Sequence, residues 1–182
     1  MSRPGNQAAA ALRSYSQTQP MLRIERAALT DVDEIQLVLR ETWLDTYREH
    51  LAQATLEEVT EVWHAAALIA ARVQDPDIFF AVAREESGRM CGLVTAALRP
   101  PNDLFIYRLY VRPGHQKQGV GTALLSETLS MFPGVARVML QVVAENEKGF
   151  AFWKKHGFHE YGVKDEVVAG EAVRVTAMER LR

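Results

Sequence analysis

The sequence is poor in cysteine and in long hydrophobic runs, and its positive and negative charges nearly balance. Its single cysteine, Cys91, excludes an internal disulfide framework and supplies no cysteine cluster for a metal, so no metal site is predicted. A formal net charge of −2 creates no general field that would attract nucleic acid or an anionic membrane. The N-terminal apolar run, residues 8–12, is too short to span a membrane, and no signal-peptide core accompanies it. We therefore expect a cytoplasmic protein that binds neither nucleic acid nor membrane.

The composition predicts a folded globular domain preceded by a polar tail. Hydrophobic residues make up 48% and charged residues 24% of the 182 residues, and a chain of this length can bury a substantial core. Residues 1–20 are rich in Ser, Gln, Pro, Asn and Gly, which predicts a mobile N-terminal tail. No repeat or linker divides the rest, so residues 21–182 are predicted to form one domain.

The order of the hydrophobic patterns predicts an α/β protein. An alternating strand over residues 21–27 is followed by two helices, whose N-termini are predicted from capping boxes that begin at Thr30 and Thr55. Later strands are predicted at residues 78–83, 90–98, 104–111 and 138–143, helices at residues 119–132 and 146–156, and a closing hairpin at residues 158–168 and 171–178. The order is thus strand, two helices, three strands, helix, strand, helix and two strands.

A loop with two glycines lies between the strand of residues 104–111 and the helix that follows. Gly119 and Gly121 leave backbone N–H groups uncovered at a helix N-terminus, where the helix dipole favours a phosphate or pyrophosphate. The alternative is that both glycines serve only tight packing. A nucleotide P-loop is excluded because Thr122-Ala123 follow Gly121 where that motif needs Lys-Ser/Thr, and the dinucleotide fingerprint is excluded because its third glycine is missing.

Two stretches of the chain resemble a known family. The order Gln116-x-x-Gly119-x-Gly121, with Pro113 just upstream, resembles the coenzyme A loop of the GNAT superfamily of N-acetyltransferases. The second stretch resembles a later helix of that family, in which an apolar strand precedes an Asn, an aromatic pair, a Lys and a Gly-Phe pair, here Asn146, Phe152, Trp153, Lys155, Gly157 and Phe158. Together they identify the chain beyond its N-terminal tail as a member of this superfamily.

The resemblance implies an α/β (α+β) GNAT fold, which has a mixed central sheet, a splayed strand pair that binds acyl-CoA, and flanking helices. Acetyl-CoA is the implied cofactor. Its pantetheine arm would lie against the strand that ends at Val111, and its pyrophosphate would lie on backbone N–H groups of the glycine loop. The cofactor-binding residues that the resemblance implies are Leu109, Tyr110, Val111, Gln116, Lys117, Gln118, Gly119, Val120, Gly121, Thr122, Asn146 and Trp153.

The implied reaction is the attack of a neutral amine on the thioester carbonyl, for which Val111, Trp153, Tyr161 and Tyr107 are the candidate catalytic residues. A backbone N–H near Val111 would stabilise the oxyanion. The family often places a Tyr general acid where this chain has Trp153, and an indole N–H can donate a hydrogen bond but cannot give up its proton. Water is therefore the first candidate for the acid, and Tyr161 or Tyr107 the next.

A second departure from the family pattern concerns the general base. An aliphatic amine has a pKa of about 10.4, so a base or a desolvating groove is needed to supply its neutral form at pH 7. Many members carry a Glu on the strand before the loop, where this chain has Phe105 and Tyr107. The replacements that the sequence offers, without selecting among them, are Asp103, Asp45, Glu145 and His50.

The sequence thus predicts an acetyl-CoA-dependent N-acetyltransferase that acts on a primary amine of a small molecule. A protein or peptide N-terminus is the alternative acceptor, and a CoA-binding regulatory module with little catalysis is the alternative from a different class. An acidic groove would favour a cationic small amine, whereas an open cleft would favour a peptide. Assembly into a homodimer, through the final strands or the apolar helices, is left open.

Overall fold

A computed structural model describes residues 22–182, so the predicted tail of residues 1–20 lies outside the described residues. The strands are β1 (Arg23–Arg26), β2 (Ile78–Arg84), β3 (Met90–Arg99), β4 (Asp103–Val111), β5 (Arg137–Val143), β6 (His159–Val168) and β7 (Glu171–Leu181). The α-helices are α1 (Val32–Tyr47), α2 (Gln53–Glu58), α3 (Ala66–Gln74), α4 (Val120–Met131) and α5 (Glu147–Lys155). No helix in this part of the chain is long and apolar enough to cross a membrane.

The seven strands form one mixed sheet in the order β1-β2-β3-β4-β5-β7-β6. All neighbouring strands are antiparallel except β4 and β5, which run parallel and pair only from Asp103 opposite Arg137 to Phe105 opposite Met139. Beyond that point the two strands have no common register, so a gap opens between the last residues of β4 and those of β5. The predicted mixed sheet with a splayed strand pair is therefore confirmed.

The two faces of the sheet are covered by different helices. On one face α4 and α5 pack on the strands through buried residues that include Leu124. On the other face, which we call the α1 face, Ile35 of α1 and Ile69 of α3 pack with Phe80 of β2. Because side chains alternate along a strand, Leu109 points toward α4 whereas Tyr110 points toward the α1 face.

A third apolar cluster lies at the open end of the gap, on the α1 face. Its buried members come from α1, from α2 and from the π-helical turn (Val59–Trp63) that extends α2. Partly buried residues from both sides of the gap and from the β6–β7 hairpin pack against them. The buried residues are Trp43, Tyr47, Leu56 and Val59, and their partners include Tyr110, Val143, Val168 and Ala169. This cluster therefore connects α1, α2 and the hairpin across the open end of the gap.

The first predicted helix start is wrong in its capping residue. Thr30 lies within a 3-10 turn, Leu29–Asp31, that precedes α1. The Asp31 carboxylate accepts a hydrogen bond of 2.9 Å from the Ala28 backbone N–H, so the carboxylate fixes this turn and the Thr30 hydroxyl does not. A short acidic side chain can satisfy a free N–H at such a turn as well as a hydroxyl can, which is why the pattern was ambiguous.

The second predicted start is wrong as well, and one helix was not predicted. Helix α2 begins at Gln53, so Thr55 lies inside it and donates its hydroxyl to the Glu171 carboxylate at 2.7 Å. The apolar periodicity of residues 59–66 predicted one continuous helix, but the backbone at Ala65 is extended, with ψ of 140°, and α3 starts after it. The first strand is therefore followed by three helices.

Candidate active site

The gap between β4 and β5 exposes backbone polar groups of both strands. In an antiparallel pair, alternate residues direct their N–H and C=O toward the neighbour and the residues between them direct theirs away. The Arg112 N–H donates to the Cys91 carbonyl at 2.9 Å, which means that Leu109 and Val111 direct their N–H and C=O away from β3, into the gap. The strand edge at Leu109 and Val111 is thus not paired with another strand and can pair with an extended ligand.

The edge of β5 that faces the gap has the same property. Ala144 N–H donates to the Arg174 carbonyl at 2.9 Å, so Gln141 and Val143 direct their backbone groups away from β7 and into the gap. The Val143 carbonyl accepts the Asn146 N–H at 2.9 Å, which starts the turn into α5. The two strand edges that face each other across the gap therefore both have backbone donors and acceptors that are not paired with another strand.

The loop from β4 to α4 places uncovered N–H groups at the end of this gap. Gly119 is the N-cap of α4 and has φ of +88°, and Lys117 also has a positive φ of 62°. No side chain caps the helix, so the N–H groups of Val120, Gly121 and Thr122 have no partner within the helix. A left-handed N-cap that carries no side chain leaves these donors open to an anion.

The two glycines of the loop are needed for different reasons. A Cβ on Gly119 would meet no atom within 4 Å, so this position requires glycine only for its backbone conformation. A Cβ on Gly121 would lie 3.1 Å from the Phe152 ring, so this glycine allows α4 to pack closely against α5. Tight packing therefore explains Gly121, whereas the left-handed backbone at Gly119 shapes the helix end whose N–H groups are open to an anion.

The polar side chains of the loop mostly hold the loop together. Gln116 Nε2 donates to the Val111 carbonyl at 3.3 Å, and Gln118 Nε2 donates to the Gly114 carbonyl at 2.9 Å. The Thr122 hydroxyl lies 3.0 Å from His156 Nε2. Lys117 is exposed. Among these predicted cofactor contacts, the Lys117 ammonium is therefore the side-chain charge available to a phosphate at the loop.

A buried arginine fixes this loop to α1. Arg112, which follows Val111 directly, is only 3% exposed and donates through Nε to Glu41 at 2.8 Å. Its Nη1 also donates to the Met90 carbonyl at 3.0 Å. A charged pair held in this way resists movement of the strand end, so the backbone of Val111 has a defined position at the mouth of the gap.

Asn146 and Trp153, both on the α5 side of the gap, also serve the fold. The Asn146 side-chain oxygen caps α5 by accepting the Gly149 N–H at 2.8 Å, and its Nδ2 lies 3.5 Å from the Tyr47 hydroxyl. Trp153 is 7% exposed and packs edge-to-face against Phe158, on the face covered by α4 and α5. The cap leaves the Asn146 amide N–H groups directed toward α1 and the gap.

Two tyrosines of the α1 face stand at the open end of the gap. Trp43 Nε1 donates to the Tyr110 hydroxyl at 3.1 Å, and the Trp43 and Tyr47 ring centroids are 4.7 Å apart. Burial raises the pKa of Tyr110 and the pKa of Tyr47, where the nearby Tyr110 adds to the effect. Both phenols therefore stay protonated at ordinary pH and are hydrogen-bond donors rather than bases.

Tyr107 and Tyr161 lie near the closed end of the β4–β5 pair, away from Val111. Tyr107 is the extra residue of a β-bulge against β3, and its hydroxyl accepts Arg99 Nε at 2.8 Å. Tyr161 is the extra residue of a bulge in β6, and its hydroxyl lies 3.8 Å from the Met139 sulfur. The structure thus brings both tyrosines to one patch of the α1 face but not to the strand end.

That patch is a cavity of about 540 Å³ on the α1 face of the sheet. It is lined by Arg99, Pro100, Phe105, Tyr107, Met139, Gln141 and Lys164. The lining is aromatic and apolar with two cations, and the Arg99 guanidinium lies 5.4 Å from the centroid of the Tyr107 ring. None of its residues is a carboxylate. The acidic groove that would favour a polycationic acceptor is therefore absent from this part of the described residues.

The residues considered as general bases are ion-paired or do not line the cavity. Asp103 is ion-paired with Arg137 at 2.5 Å, which holds the pKa of Asp103 below its usual range. Asp45 lies 3.6 Å from the Lys148 ammonium. Glu145 and His50 are exposed and do not line the cavity. The described residues therefore provide no carboxylate base in this cavity.

Three residues of the α1 face were not considered from the sequence. Arg108 is half-buried on β4 opposite Thr95, whose buried hydroxyl has no partner among the described residues. His64, 2% exposed, packs against Trp43 and has an unpartnered Nδ1. The sequence did carry a signal for Arg108, since it is the arginine within the otherwise aromatic and aliphatic strand of residues 104–111. Charged residues are rarely buried in such a strand unless they are paired or have a function.

The arrangement fits an acyl-CoA. An extended amide-containing arm can pair with the strand edges at Val111 and Val143 that face the gap, and a pyrophosphate can bind the uncovered N–H groups at the start of α4. The Gly119 position, where a Cβ would meet nothing, leaves room for a ligand to approach the backbone. These are features of the chain itself, independent of any related protein.

Comparison with known proteins gives the same result. Residues 37–158 match the model of the acetyltransferase (GNAT) family. Uncharacterised N-acetyltransferases of Mycobacterium bovis and Mycobacterium tuberculosis are 26% identical over 138 residues, which cover 75% of this chain and 88% of theirs. The fold matches that of the PaiA N-acetyltransferase of Thermoplasma acidophilum in complex with coenzyme A, with a TM-score of 0.76, 22% identity, and coverage of 88% of this chain and 99% of that one.

A further structural neighbour extends the range of acceptors among such proteins. The ribosomal-protein-S18-alanine N-acetyltransferase of Escherichia coli matches with a TM-score of 0.67 and 18% identity, over 88% of this chain and 94% of that one. At these identities the two solved structures establish the fold and do not identify an acceptor. The family match covers most of the chain, including the glycine loop and α5. The chain therefore belongs to the acetyltransferase (GNAT) family and is an N-acetyltransferase that uses acetyl-CoA.

Proposed function

We propose that this enzyme acetylates the primary amine of a small molecule. The observation that carries the proposal is the contact between the β6–β7 hairpin and α2. Glu171, at the start of β7, accepts the Thr55 hydroxyl at 2.7 Å and the Ala52 N–H at 3.2 Å. With Val168 and Ala169 packed on the Trp43 cluster, the hairpin bounds the α1 face at the open end of the gap. An extended peptide would have to displace this contact, whereas a small amine would not.

Acetyl-CoA, when bound, supplies the acetyl group as a thioester: the amine nitrogen forms the new C–N bond, the C–S bond breaks, and the proton lost by the amine is balanced by protonation of the thiol. In the proposed site, Val111 contributes its outward N–H to bind the carbonyl oxygen as negative charge develops there. The Arg112–Glu41 pair holds that N–H in place. Uncovered N–H groups of residues 120–122 and the Lys117 ammonium bind the pyrophosphate.

The protein favours the neutral amine by its electrostatics rather than by a carboxylate base. Arg99 and Lys164 line the acceptor cavity, and Arg108 lies beside it on β4. Nearby positive charge and partial burial both disfavour an ammonium ion, so they lower the pKa of the bound amine. We assign proton release to water, and hydrogen bonding at the thiol side to the protonated phenols of Tyr47 and Tyr110. Tyr107 lines the acceptor cavity in this proposal, and Tyr161 contacts Met139, which also lines it.

The test is a thiol-release assay with acetyl-CoA and four acceptor classes: amino acids, polyamines, aminoglycosides and short peptides. We expect turnover with at least one class of small amine and none with peptides. Calorimetric titration with CoA, run on the same preparation, shows whether the cofactor site is intact. Turnover restricted to peptides would overturn the small-molecule proposal. CoA binding without turnover on any amine would overturn it too.

A further inference from the structure

Arg108 occupies an unusual position for a guanidinium. It lies on β4 opposite Thr95, and the β-bulge at Tyr107 turns both Tyr107 and Arg108 toward the α1 face. Tyr107 lines the acceptor cavity, and Tyr110, on the same face of β4, accepts the Trp43 indole N–H at the open end of the gap. Arg108 therefore stands between the acceptor cavity and the open end of the gap.

Three other arginines at this sheet have acid partners, and Arg180, which has none among the described residues, donates to the His156 carbonyl at 3.0 Å, whereas Arg108 has no acid partner. A half-buried guanidinium keeps its charge, so it needs either a counter-charge or solvent. Within residues 22–182, no carboxylate lies within ion-pair distance of Arg108. The buried or half-buried arginines that do have such partners are Arg84 with Asp31 (2.5 Å), Arg112 with Glu41 (2.8 Å) and Arg137 with Asp103 (2.5 Å).

The surroundings of Arg108 are positive or neutral. Burial and the neighbouring Arg72 both lower its pKa. His64 has its pKa lowered to about 4 by burial and by the charges of Arg108 and Arg72, so its ring is neutral at pH 7. Its buried Nδ1 and the buried Thr95 hydroxyl have no partner within the described residues. A cation beside two unsatisfied polar atoms is a site that lacks an anion.

We propose that the acceptor is an amine that also carries a carboxylate, and that Arg108 binds this carboxylate through its guanidinium fork. The proposal rests on the function proposed above. The planar fork matches a carboxylate in two parallel hydrogen bonds, which both neutralises the charge and orients the molecule. The cavity lining of Phe105, Tyr107 and Met139 suits an apolar side chain on the same molecule. An amino acid with an apolar or aromatic side chain has all three features, and a polyamine has only the amine.

A carboxylate could reach Arg108 from two sources: the acceptor, or the acyl group of a dicarboxylic acyl-CoA. Because the enzyme uses acetyl-CoA, whose acyl group is uncharged, we assign the carboxylate to the acceptor. The two sources predict different kinetics. Removal of Arg108 affects the KM of the acceptor in the first case, and in the second it affects the preference between acetyl-CoA and succinyl-CoA.

The experiment compares matched acceptors on the wild type and on Arg108→Gln. The acceptors are phenylalanine with phenylalaninamide and methionine with methioninamide, with spermidine as the polyamine. For the wild type we expect a higher kcat/KM on each carboxylate, although the carboxamides have the less basic and more readily available amines. For Arg108→Gln we expect kcat/KM on the carboxylates to fall by about 10- to 100-fold, with little change on the carboxamides.

Controls separate the binding role from a loss of structure. Arg174→Gln removes an exposed guanidinium that pairs with Asp165 on the β6–β7 hairpin, and we expect no change in acceptor preference. Arg108→Lys keeps the charge without the fork and should restore part of the preference. Calorimetric CoA affinity should equal that of the wild type in every variant.

Three outcomes would overturn the assignment while leaving the small-amine function intact: a wild-type preference for spermidine, equal rates on carboxylates and carboxamides, or an equal loss on both in Arg108→Gln. A shift confined to the acetyl-CoA and succinyl-CoA preference would move the carboxylate to the acyl group and also overturn it. Absence of turnover on all small amines would instead count against the proposed function itself.

Discussion

The indole N–H of Trp43 on α1 donates a 3.1 Å hydrogen bond to the hydroxyl of Tyr110 on β4, one residue before the strand end at Val111. Trp43 is 9% exposed, so this is a partly buried polar contact inside an otherwise apolar cluster. It connects the helix that covers the α1 face to the strand that borders the gap. The contact therefore couples the position of α1 to the strand end at which we propose that the reaction takes place.

Replacing Trp43 by Phe tests this coupling. The variant keeps an aromatic ring but leaves the Tyr110 hydroxyl without its donor, which should lower the free energy of unfolding by about 1 to 3 kcal/mol. We expect kcat to fall as well, because Tyr110 then loses its fixed orientation at the thiol side of the proposed site. Urea denaturation and steady-state kinetics measure the two effects. In Trp63→Phe, where the indole is 40% exposed, both quantities should stay near the wild-type values, and an equal loss there would refute the assignment.

Gly119→Ala should weaken the cofactor site through the backbone. A left-handed conformation costs a residue with a Cβ about 1 to 2 kcal/mol, so the helix start at φ of +88° will shift or destabilise the fold by that amount. We expect a weaker CoA affinity by calorimetry together with a lower melting temperature. Gly114→Ala is the matched control in the same loop, since no atom lies within 4 Å of its Cβ position and its φ is not positive. Equal affinity in both variants would show that the Gly119 conformation is not required.

Much of the fold followed from the sequence because local signals agreed with tertiary packing. The alternation in residues 104–111, the glycines around 119–121 and the Gly157 C-cap at φ of +82° each gave an element close to its observed bounds. The helix start near Thr30 was misplaced because the Asp31 carboxylate, and not the Thr30 hydroxyl, accepts the backbone N–H of Ala28. The start near Thr55 was misplaced because the Thr55 hydroxyl donates to the distant Glu171. The Glu171 partner is set by chain folding and has no local signature, whereas Asp31 is a local alternative to Thr30 as the capping residue.

The candidate site was predictable where it uses backbone and less so where it uses side chains. The glycine loop follows from the order of strand, loop and helix, whereas the role of the strand edge at Val111 was implied by the resemblance to the GNAT superfamily. The β-bulge that turns Arg108 toward the α1 face is a register shift opposite Thr95, and registers depend on pairing that no single strand encodes. The hairpin bulge that brings Tyr161 to Met139 was unpredictable for the same reason.

The pH profile of the reaction should follow the acceptor rather than the protein. Since no carboxylate lines the acceptor cavity, kcat/KM is expected to rise with pH until the amine of the free acceptor is deprotonated. Two acceptors whose amines differ in pKa should therefore give profiles displaced by about that difference. Measurement of kcat/KM between pH 6 and 10 with both acceptors decides the matter. An inflection that stays at one pH for both acceptors would reveal a protein base.

Glu171→Gln should loosen the β6–β7 hairpin. The carboxylate accepts two hydrogen bonds from α2, at Thr55 and Ala52, and charge-assisted bonds of this kind contribute about 1.5 to 3 kcal/mol when buried and less when part-exposed. We expect a higher KM for the small acceptor and a new, slow turnover with peptides, both measured by thiol release. Glu57→Gln, which changes an exposed bond to Gln53 on the same helix, is the control and should behave as the wild type. Unchanged acceptor selectivity in Glu171→Gln would remove the support for a hairpin that excludes peptides.

His64 should make the protein less stable in mild acid. Burial and the charges of Arg108 and Arg72 lower its pKa from 6.5 to about 4, so between these values the unfolded chain binds a proton at this position and the folded chain does not. The free energy of unfolding must then decrease as the pH falls from 6.5 toward 4, by on the order of 2 to 3 kcal/mol at pH 4.5. In His64→Gln this part of the decrease should vanish, whereas in His50→Gln, at an exposed position, it should persist. Urea denaturation at pH 7.5 and 4.5 for the three proteins measures the difference. A decrease in His64→Gln as large as in the wild type would show that other groups cause the acid sensitivity.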